Sequence, residues 1–506
     1  MDVETDGRGE YVMGEERGLK TAASDEKREG EKSVLGKTVE EKRPGINKVK
    51  TAGMVAAIAV IVISPCFPGN AYLTKTGIKT VGVLAAFLIM LVTEALPVVV
   101  TSLIFCGLMP VVGVTPDLGT ALTGYSEPIV FFTLASFGIA AAMTTIPLSK
   151  RILRFMLKAF GKDIRSVLLT VMAACALFSS IVSNVPTCAI FMSISLEFIK
   201  VYEREDERRR TGKTFMIAIP VSSMIGGMMT PAGSSINLIA ISQLEKYSGT
   251  TVSFVHWMCA GIPLAAVMIP LAWILAVKIY KPAPVSKQDI RQFVDSMDIP
   301  RQMEKKEKKV LVIVCSMLVL WISSSWISMI NVMIVATLGC CLMFVPGIEV
   351  LDVDTFLHEN SWDAFFLVGT VLSISAAMIN NGVSDVIAGL VPSLEISQQA
   401  LIALTAVFVF ASLLVIPVAS SLLPILAPTL IAVAANTGAS PELVMMAAAI
   451  CACNCYLLPL DTVALITYGK GYYAMTDMAK STIYLQIAVT ALAAVWLPVV
   501  GGLFLG

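Results

Sequence analysis

Two apolar stretches of the chain are interrupted by glycine, proline and side chains that carry oxygen. The first interruption, 223–237, contains Gly-Gly, Thr-Pro and Gly-Ser-Ser, and the second, 454–465, contains a proline followed by Asp461 and Thr462. Proline leaves a backbone carbonyl without its helical donor, and glycine lets an ion approach the backbone. A helix broken in this way presents carbonyl oxygens to a cation and free amides to an anion. Both interruptions are therefore candidate ion sites, with a packing kink as the alternative.

Two other apolar stretches, 166–199 and 399–433, are longer than the ~20 residues that cross a membrane, and each is broken near its middle. The first break reads Ser183-Asn184-Val185-Pro186-Thr187, and the second falls at 418–422. Non-helical backbone at membrane depth is tolerated only where it is buried in protein or lines a cavity. We therefore predict two re-entrant hairpins whose tips face the two broken helices; for the first stretch, two cramped spans joined by a short outer loop are the alternative.

The composition agrees with such elements. The chain has 506 residues, 37 basic and 37 acidic side chains and 56% hydrophobic residues, but only 15% charged residues. Its mean hydropathy is +0.79. Soluble domains are about one quarter charged, so most of this surface faces lipid, and zero net charge argues against nucleic acid as a partner. The predicted fold class is an all-α polytopic membrane protein, with spans at 50–67, 79–95, 96–113, 128–148, 215–243, 254–279, 310–327, 329–347, 364–384, 442–467 and 481–504.

Loop charge predicts the orientation, because Lys and Arg are retained on the cytoplasmic side. Six basic residues precede 166–199 and six follow it, whereas the flanks of 399–433 carry none. We expect the first hairpin to enter from the cytoplasm and the second from outside. The same count places the amino terminus in the cytoplasm and the carboxyl terminus outside, in a multi-pass protein of the cell membrane.

An internal repeat appears at an offset of 235 residues, which relates Phe131 to Phe366 and carries the first hairpin break onto the second. An odd number of spans and hairpins lies between the copies, so they run in opposite directions. The predicted halves are 51–280 and 310–506, joined by a cytoplasmic linker at 281–309. Inverted repeats with about eleven transmembrane helices, two re-entrant hairpins and two broken helices are typical of secondary transporters.

The remaining regions have simpler interpretations. Residues 1–50 carry 12 acids and 11 bases, and this mixture predicts a disordered cytoplasmic tail. The basic and apolar segment 148–162 predicts an amphipathic helix on the inner membrane surface, or else a loop. Most of the 11 cysteines lie in apolar sequence, where Cys behaves as a small hydrophobe; a metal site at 451–455 is the less favoured alternative, since no His stands near.

These motifs resemble those of the divalent anion:sodium symporters, which carry di- and tricarboxylates or sulfate. The similarity covers nearly everything after the tail. Ser183-Asn184 resembles the start of that family's Ser-Asn-Thr hairpin tip, and 223–237 resembles its Ser-Ile-Gly-Gly…Thr-Pro-x-Gly-Thr-Pro-Pro-Asn run. The segment 93–97, Thr-Glu-Ala-Leu-Pro, is similar to its early helix signature. The resemblance implies a homodimer in which a scaffold holds a transport part that moves as an elevator.

The resemblance also implies which residues bind the ions. The implied substrate-binding residues are Ser183, Asn184, Val185, Thr187, Ser234, Ser235, Ser420 and Thr462. The implied residues of the first sodium site are Ser179, Ser183, Asn184 and Gly233, and for the second cation site we predict Ala419 and Asp461. No other metal and no cofactor is expected.

The chain departs from the family pattern at both hairpin tips. Val185 stands where Thr is expected, and Val418-Ala419-Ser420 stands where the second Ser-Asn-Thr is expected. We interpret Asp461 as a carboxylate that replaces the missing neutral ligands, so that the second cation site holds sodium or a proton. A lone carboxylate at mid-membrane needs a partner cation or a proton. The alternative is a helix cap near the cytoplasmic interface.

The predicted function is secondary active transport. The motifs His-Glu-x-x-His and Gly-x-Ser-x-Gly are absent, so an intramembrane enzyme is not expected, and inverted repeats favour alternating access over a channel. We expect sodium-coupled import of a small divalent anion, either a C4-dicarboxylate such as succinate or malate, or citrate. The alternatives are a symporter of sulfate or another inorganic anion, and a proton-coupled or exchange carrier that uses Asp461.

Overall fold

The structure is a computed structural model that describes residues 48–69, 73–297, 299–300, 302–327, 329–390, 396–459 and 461–504. Every regular element in these ranges is a helix, which agrees with the predicted fold class. Most of the predicted charged tail lies outside the described residues. Its last residues, 48–50, begin the first described helix.

The helices of the first half are Lys48–Ile63, Lys75–Val92, Val98–Val112, Leu118–Ala121, Pro128–Thr144, Leu148–Phe160, Ile164–Val182, Asn184–Ile199, Glu205–Gly227, Ser235–Ser248 and Phe254–Tyr280. The helices of the linker and the second half are Lys287–Ser296, Lys305–Ser323, Val332–Leu342, Val353–Glu359, Trp362–Asn380, Val383–Leu390, Gln398–Val415, Ala419–Thr437, Pro441–Cys453, Thr462–Tyr468 and Met475–Phe504.

Four of these helices form two hairpins. The first hairpin has the arms Ile164–Val182 and Asn184–Ile199, and the second has the arms Gln398–Val415 and Ala419–Thr437. Adding 235 to the arm bounds of the first hairpin gives those of the second to within three residues. The repeat inferred from a few identities is therefore a repeat of helical elements.

Four other helices form the two broken helices. The first has a leading half, Glu205–Gly227, and a trailing half, Ser235–Ser248, and the second has the halves Pro441–Cys453 and Thr462–Tyr468. Each trailing half begins at a side-chain cap, since Ser234 accepts from the amide of Ile236 and Asp461 from that of Val463. Such caps satisfy amides that the break leaves without helical partners. The sequence interruptions thus give the predicted breaks.

Eight of the described helices are long and apolar enough to cross a membrane, or nine if the bent pair Pro128–Thr144 and Leu148–Phe160 counts as one span. Three of the eight are hairpin arms. The eleven predicted spans did not include the hairpins, so five of the eight correspond to predicted spans. Two other predicted spans are the broken helices, which are divided into halves of 7 to 23 residues. The helices Val98–Val112 and Val332–Leu342 are also short.

The two halves of the chain interlock through these elements. The leading half of each broken helix packs on both arms of the hairpin from its own half of the chain. The trailing half packs instead on the second arm of the other hairpin, so that Ser235–Ser248 contacts Ala419–Thr437 and Thr462–Tyr468 contacts Asn184–Ile199. Each hairpin tip therefore lies beside residues from both halves.

Outside this interlocked region, Lys75–Val92 and Val98–Val112 pack against Trp362–Asn380 around a separate apolar cluster. The rings of Phe87 and Phe105 meet edge to face there, with centroids 5.2 Å apart. Leu148–Phe160 is bent by 61° from the helix before it and buries Leu153 and Leu157 along one face. It is the predicted amphipathic helix; its place on the membrane surface stays a prediction.

Candidate functional site

The tip of the first hairpin is a single residue, Ser183, between the two arms. Its φ of +87° lies in a region that L residues rarely adopt, and the helix before it ends with the amide of Ser183 bonded to the carbonyl of Ser179 at 3.3 Å. The chain therefore reverses in one step, and Asn184 begins the second arm directly. This abrupt turn directs the buried side chain of Asn184 toward the first broken helix.

The Asn184 side chain lies in a cluster of oxygen atoms. One terminal atom of its carboxamide is 2.9 Å from Ser179 Oγ, 3.1 Å from the carbonyl oxygen of Ser223 and 3.3 Å from that of Gly233. If this atom is nitrogen, its two hydrogens are within reach of all three oxygens. If it is oxygen, four oxygen atoms lie together and the amide nitrogen donates to Cys453 Sγ at 3.5 Å. A carboxamide can take either orientation. We call Ser179, Asn184, Ser223 and Gly233 the Asn184 cluster.

Glycine and threonine in the first break make this approach possible. A Cβ at Gly227 would lie 2.0 Å from Asn184 Oδ1, and one at Gly233 would lie 2.7 Å from the carbonyl oxygen of Gly227. Thr230 Oγ1 donates to the carbonyl of Ser180 in the hairpin at 2.6 Å and accepts from the amide of Gly233 at 2.9 Å. The break is thereby fastened to the hairpin arm beside the cluster.

The second broken helix reaches the same cluster from the other side. Cys453, the last residue of its leading half, donates from Sγ to the carbonyl of Met224 at 3.6 Å. Asn454 follows, with its Nδ2 donating to the carbonyl of Ile450 at 2.6 Å and its Oδ1 accepting from Tyr456 at 2.6 Å. The two breaks thus meet within the protein interior.

Asp461 lies where the second broken helix faces the second hairpin. Its Oδ1 accepts a hydrogen bond from the amide of Val463 at 2.9 Å, so the side chain caps the trailing half. A helix cap is one of the two roles that the sequence indicates for Asp461. It also lines a small cleft with Pro417 and Ala419 at the second hairpin tip and with Cys455. Among the described residues, no Lys or Arg forms an ion pair with it.

The structure brings five of the twelve predicted residues together, in two separate places. Ser179, Asn184 and Gly233 share one cluster, and Ala419 and Asp461 share the cleft. Thr187 is fully buried, and its hydroxyl has no hydrogen-bond partner among the described residues. The other residues predicted to bind substrate in the first half are the half-buried Val185 and Ser235 and the buried Ser234.

The two predicted substrate-binding residues of the second half make no hydrogen bond to the Asn184 cluster in the described part of the chain. Ser420 is half-buried and Thr462 is exposed. The neighbour of Ser420, Ser421, is fully buried, and its hydroxyl has no hydrogen-bond partner in the described ranges.

The predicted set omits several residues that the structure places at the site. Ser223 contributes its carbonyl to the cluster and donates from Oγ to the carbonyl of Asn184 at 2.7 Å. Asn237 fastens the break by donating to the carbonyls of Gly227 and Thr230, both at 2.8 Å. Ser223 and Asn237 are the first and last residues of the first interrupted stretch, so the interruption itself was the sequence signal that could have identified them. Nothing in the pattern around Cys453 indicated its contact with Asn184.

Comparisons with known proteins agree with this arrangement. The family described as "Sodium:sulfate symporter transmembrane region" matches residues 48–503. The sodium-dependent dicarboxylate transporter SdcS of Staphylococcus aureus is 26% identical over 421 residues, which cover 77% of this chain and 79% of that protein. A protein of Cupriavidus necator described as a membrane protein is 24% identical over 348 residues, which cover 65% of this chain and 67% of its own.

Two solved structures share the fold. The YdaH transporter of Alcanivorax borkumensis has a TM-score of 0.55 at 16% identity, covering 76% of this chain and 87% of its own. MtrF of Neisseria gonorrhoeae, described as one of a class of antimetabolite efflux pumps, has a TM-score of 0.54 at 12% identity, covering 88% of this chain and 94% of its own. With a family match over nearly all of the described residues, the chain belongs to the sodium:sulfate symporter family and is a multi-pass membrane transporter, not an enzyme.

Proposed function

We propose that this transporter imports a small divalent anion, a C4-dicarboxylate such as succinate or malate, or citrate, by symport with sodium. The observation that carries the proposal is the Asn184 cluster. With the Asn184 oxygen turned inward, Asn184 Oδ1 lies within 3.3 Å of Ser179 Oγ and of the carbonyl oxygens of Ser223 and Gly233, so that four oxygen atoms are grouped together. Carbonyls of unwound helices are the groups with which transporters of this kind coordinate sodium.

The orientation of Asn184 gives this site a physical link to cation binding. Oxygens that face one another repel, so without a cation the amide nitrogen is better placed among them. A sodium ion reverses that preference, because it turns the same oxygens into ligands. The amide nitrogen then donates to Cys453 on the second broken helix, so binding of the ion adds a hydrogen bond between the two halves of the chain.

The anion site is proposed to lie against this cation, between the hairpin tips. The donors would be the hydroxyls of Ser183, Thr187 and Ser234, the amides that begin Ser235–Ser248, and Ser420 and Thr462 from the second half. Of the described residues in the Asn184 cluster and the Asp461 cleft, none is Lys or Arg. The anion would therefore depend on co-bound sodium for its counter-charge, which supports obligatory coupling. The dicarboxylate relative SdcS supports the substrate class.

The conformational part of the proposal is an elevator motion in a homodimer. The hairpins and broken helices interlock across the two halves, so they can move as one body. The helices around Phe87 and Phe105 form a second cluster that could remain fixed, and it meets the second hairpin at Ile425. The hairpins would be re-entrant, entering from opposite membrane faces.

The direct test is uptake of labelled succinate by vesicles that contain the purified protein. We expect an inward sodium gradient to drive uptake and an equal choline gradient not to, with malate, citrate and sulfate as competitors. Asn184→Ala should remove most sodium-driven uptake, because it deletes one ligand and the link to Cys453. Ser193→Ala is the matched control, since Ser193 lies exposed on the same arm and bonds only locally. The proposal is contradicted if a sodium gradient drives the uptake of none of these anions.

Asp461 favours a second candidate, a carrier in which a proton is the coupling ion at the second site. The carboxylate faces the second hairpin tip without an ion pair among the described residues. Such a group is expected to hold a cation or a proton. In this candidate an inward proton gradient drives uptake without sodium, and the substrate is the same divalent anion, or sulfate or another inorganic anion.

A further inference from the structure

A groove of about 640 Å³ lies between the start of the first hairpin and the end of the helix Phe254–Tyr280, away from the proposed transport site. The residues that define it are Arg165, Trp273, Ile274, Val277, Lys278 and Lys281. Trp273 joins the two elements by donating from Nε1 to the carbonyl of Arg165 at 2.8 Å. The groove is therefore built by two elements that contact each other, and its volume falls in the range of small-molecule sites.

The charge on the groove is of one sign. Three of its lining residues are basic and none is acidic. Neither Arg165, Lys278 nor Lys281 forms an ion pair with any residue that the structure describes. The neighbouring acid, Asp163, does not line the groove, and its Oδ1 accepts from the amide of Ser166 at 2.9 Å. Asp163 interacts electrostatically with Arg165 and offsets part of its charge, whereas Lys278 and Lys281 have no acid within ion-pair distance in the described part of the chain.

The position of the groove along the helix indicates its depth in the membrane. Phe254–Tyr280 has 27 residues, which at 1.5 Å per residue gives about 40 Å, against a hydrocarbon core of about 30 Å. Its last turns therefore extend into the headgroup region, where Trp and Lys are favoured. Ile274, which is 38% exposed, and Val277 continue the groove as an apolar surface toward the hydrocarbon.

The backbone at Lys281 is unusual. Its φ of +49° lies in the left-handed region, where glycine is the favoured residue. A lysine that ends a helix in this conformation is strained relative to glycine. A role for the Lys281 side chain accounts for the presence of lysine at this position, since ending the helix does not itself require a lysine.

We propose that this groove binds the headgroup of an anionic phospholipid. The phosphate would lie among Arg165, Lys278 and Lys281, and the acyl chains would follow Ile274 and Val277. Basic pockets between transmembrane helices on the cytoplasmic side suit such headgroups. The bound lipid would hold the first hairpin against Phe254–Tyr280.

Lipid retention by the purified full chain tests the proposal independently of transport. The protein would be exchanged into mixtures of phosphatidylglycerol and phosphatidylcholine, and the retained lipids counted by native mass spectrometry. We expect the protein to retain phosphatidylglycerol in preference to phosphatidylcholine. In the triple variant Arg165→Gln, Lys278→Gln, Lys281→Gln this preference should fall about fivefold for each basic residue removed, on the order of a hundredfold in all. The matched control removes three cations from a neighbouring surface: Lys158→Gln, Lys287→Gln, Arg291→Gln.

Two further measurements distinguish a bound lipid from a free phosphate and from a purely structural role of Lys281. Lys281→Gly should lower the preference about fivefold while the unfolding temperature stays the same or rises, because glycine relaxes the backbone. Soluble glycerol phosphate should not displace the lipid at equal concentration. The proposal is wrong if the triple variant keeps the preference, if the control variant loses it equally, or if glycerol phosphate competes as well as the lipid does.

Discussion

At the scale of single residues, the proposed sodium site depends on how closely Asn184 approaches the first broken helix. Gly227 makes the approach possible, because a Cβ at that position would lie 2.0 Å from Asn184 Oδ1. Gly227→Ala must therefore displace the carboxamide, although the leading half of the helix can still form. We expect the sodium concentration for half-maximal uptake to rise roughly tenfold, which corresponds to about 1.4 kcal/mol.

The control for this substitution is Gly107→Ala. Gly107 lies in Val98–Val112, and a Cβ there would meet nothing within 4 Å. Both alanine variants should be as well folded as the unchanged protein, so a difference in sodium dependence isolates the contact with Asn184. An unchanged sodium dependence in Gly227→Ala would argue against Asn184 as a ligand.

Asp461 can be tested without disturbing the helix that it caps. Asparagine caps a helix about as well as aspartate, so Asp461→Asn removes the charge and retains the hydrogen bond to Val463. We expect uptake to lose its dependence on one coupling ion, visible as a lower Hill coefficient for sodium or as a loss of pH dependence. Asp352→Asn is the matched control, because Asp352 caps an exposed helix with the same type of bond. Unchanged coupling to both ions would leave Asp461 with only the capping role.

At the scale of elements, an ion pair fastens the bent helix Leu148–Phe160 to the linker and to the start of the helix Lys305–Ser323. Arg151 donates to both oxygens of Glu307, at 2.7 and 2.9 Å, and to the carbonyl of Gln302 at 2.9 Å. Glu307 is 1% exposed and Arg151 is 20% exposed. Arg151→Gln leaves a buried carboxylate unpaired and should destabilise the protein by about 2–3 kcal/mol. This is less than the about 3–5 kcal/mol lost when one partner of a fully buried ion pair is removed, because Arg151 is partly exposed.

The pH dependence of this pair has a definite sign. Hydrogen bonds from Arg151 lower the pKa of Glu307, which precedes the apolar part of its helix. The stability it contributes is present above the ordinary glutamate pKa of about 4.3 and is lost as the pH falls through the lower folded-state value. The unfolding temperatures of the unchanged protein and Arg151→Gln, measured in detergent, should differ most near pH 7 and converge below about pH 4. A gap that stays constant with pH would mean that charge is not the cause.

The elements that the sequence predicts well are those with a local chemical signal. The polar breaks at 183–187 and 418–422 predict both hairpins, and the Gly and Pro residues of the interrupted stretches predict both broken helices. The contact between Cys453 and Asn184 was missed, because it joins residues 269 positions apart and a cysteine in apolar sequence has no distinctive pattern. The described helices that are long and apolar enough to cross a membrane are fewer than the predicted spans, because each broken helix is divided into two shorter halves and Val98–Val112 and Val332–Leu342 are short.

At the scale of the whole molecule, one ion pair crosses from the interlocked region to the helix Pro128–Thr144. Lys246, in the trailing half of the first broken helix, pairs with Glu127, which precedes Pro128–Thr144. If the hairpins and broken helices move as one body, this contact must break in the opposite conformation of the transporter. The predicted topology places it on the outer side, where reagents can reach it.

Cross-linking of this contact tests the elevator motion. The variant Glu127→Cys, Lys246→Cys, with the exposed Cys66, Cys315 and Cys341 changed to Ser, should lose uptake when a short cleavable reagent joins the two thiols, and regain it on reduction. The control pair is Glu205→Cys, Arg208→Cys, whose native side chains pair within a single helix. Its cross-link should leave uptake unchanged, because both positions belong to the same moving body. If the first cross-link also leaves uptake unchanged, the two elements do not separate during transport, and the motion must lie elsewhere in the molecule.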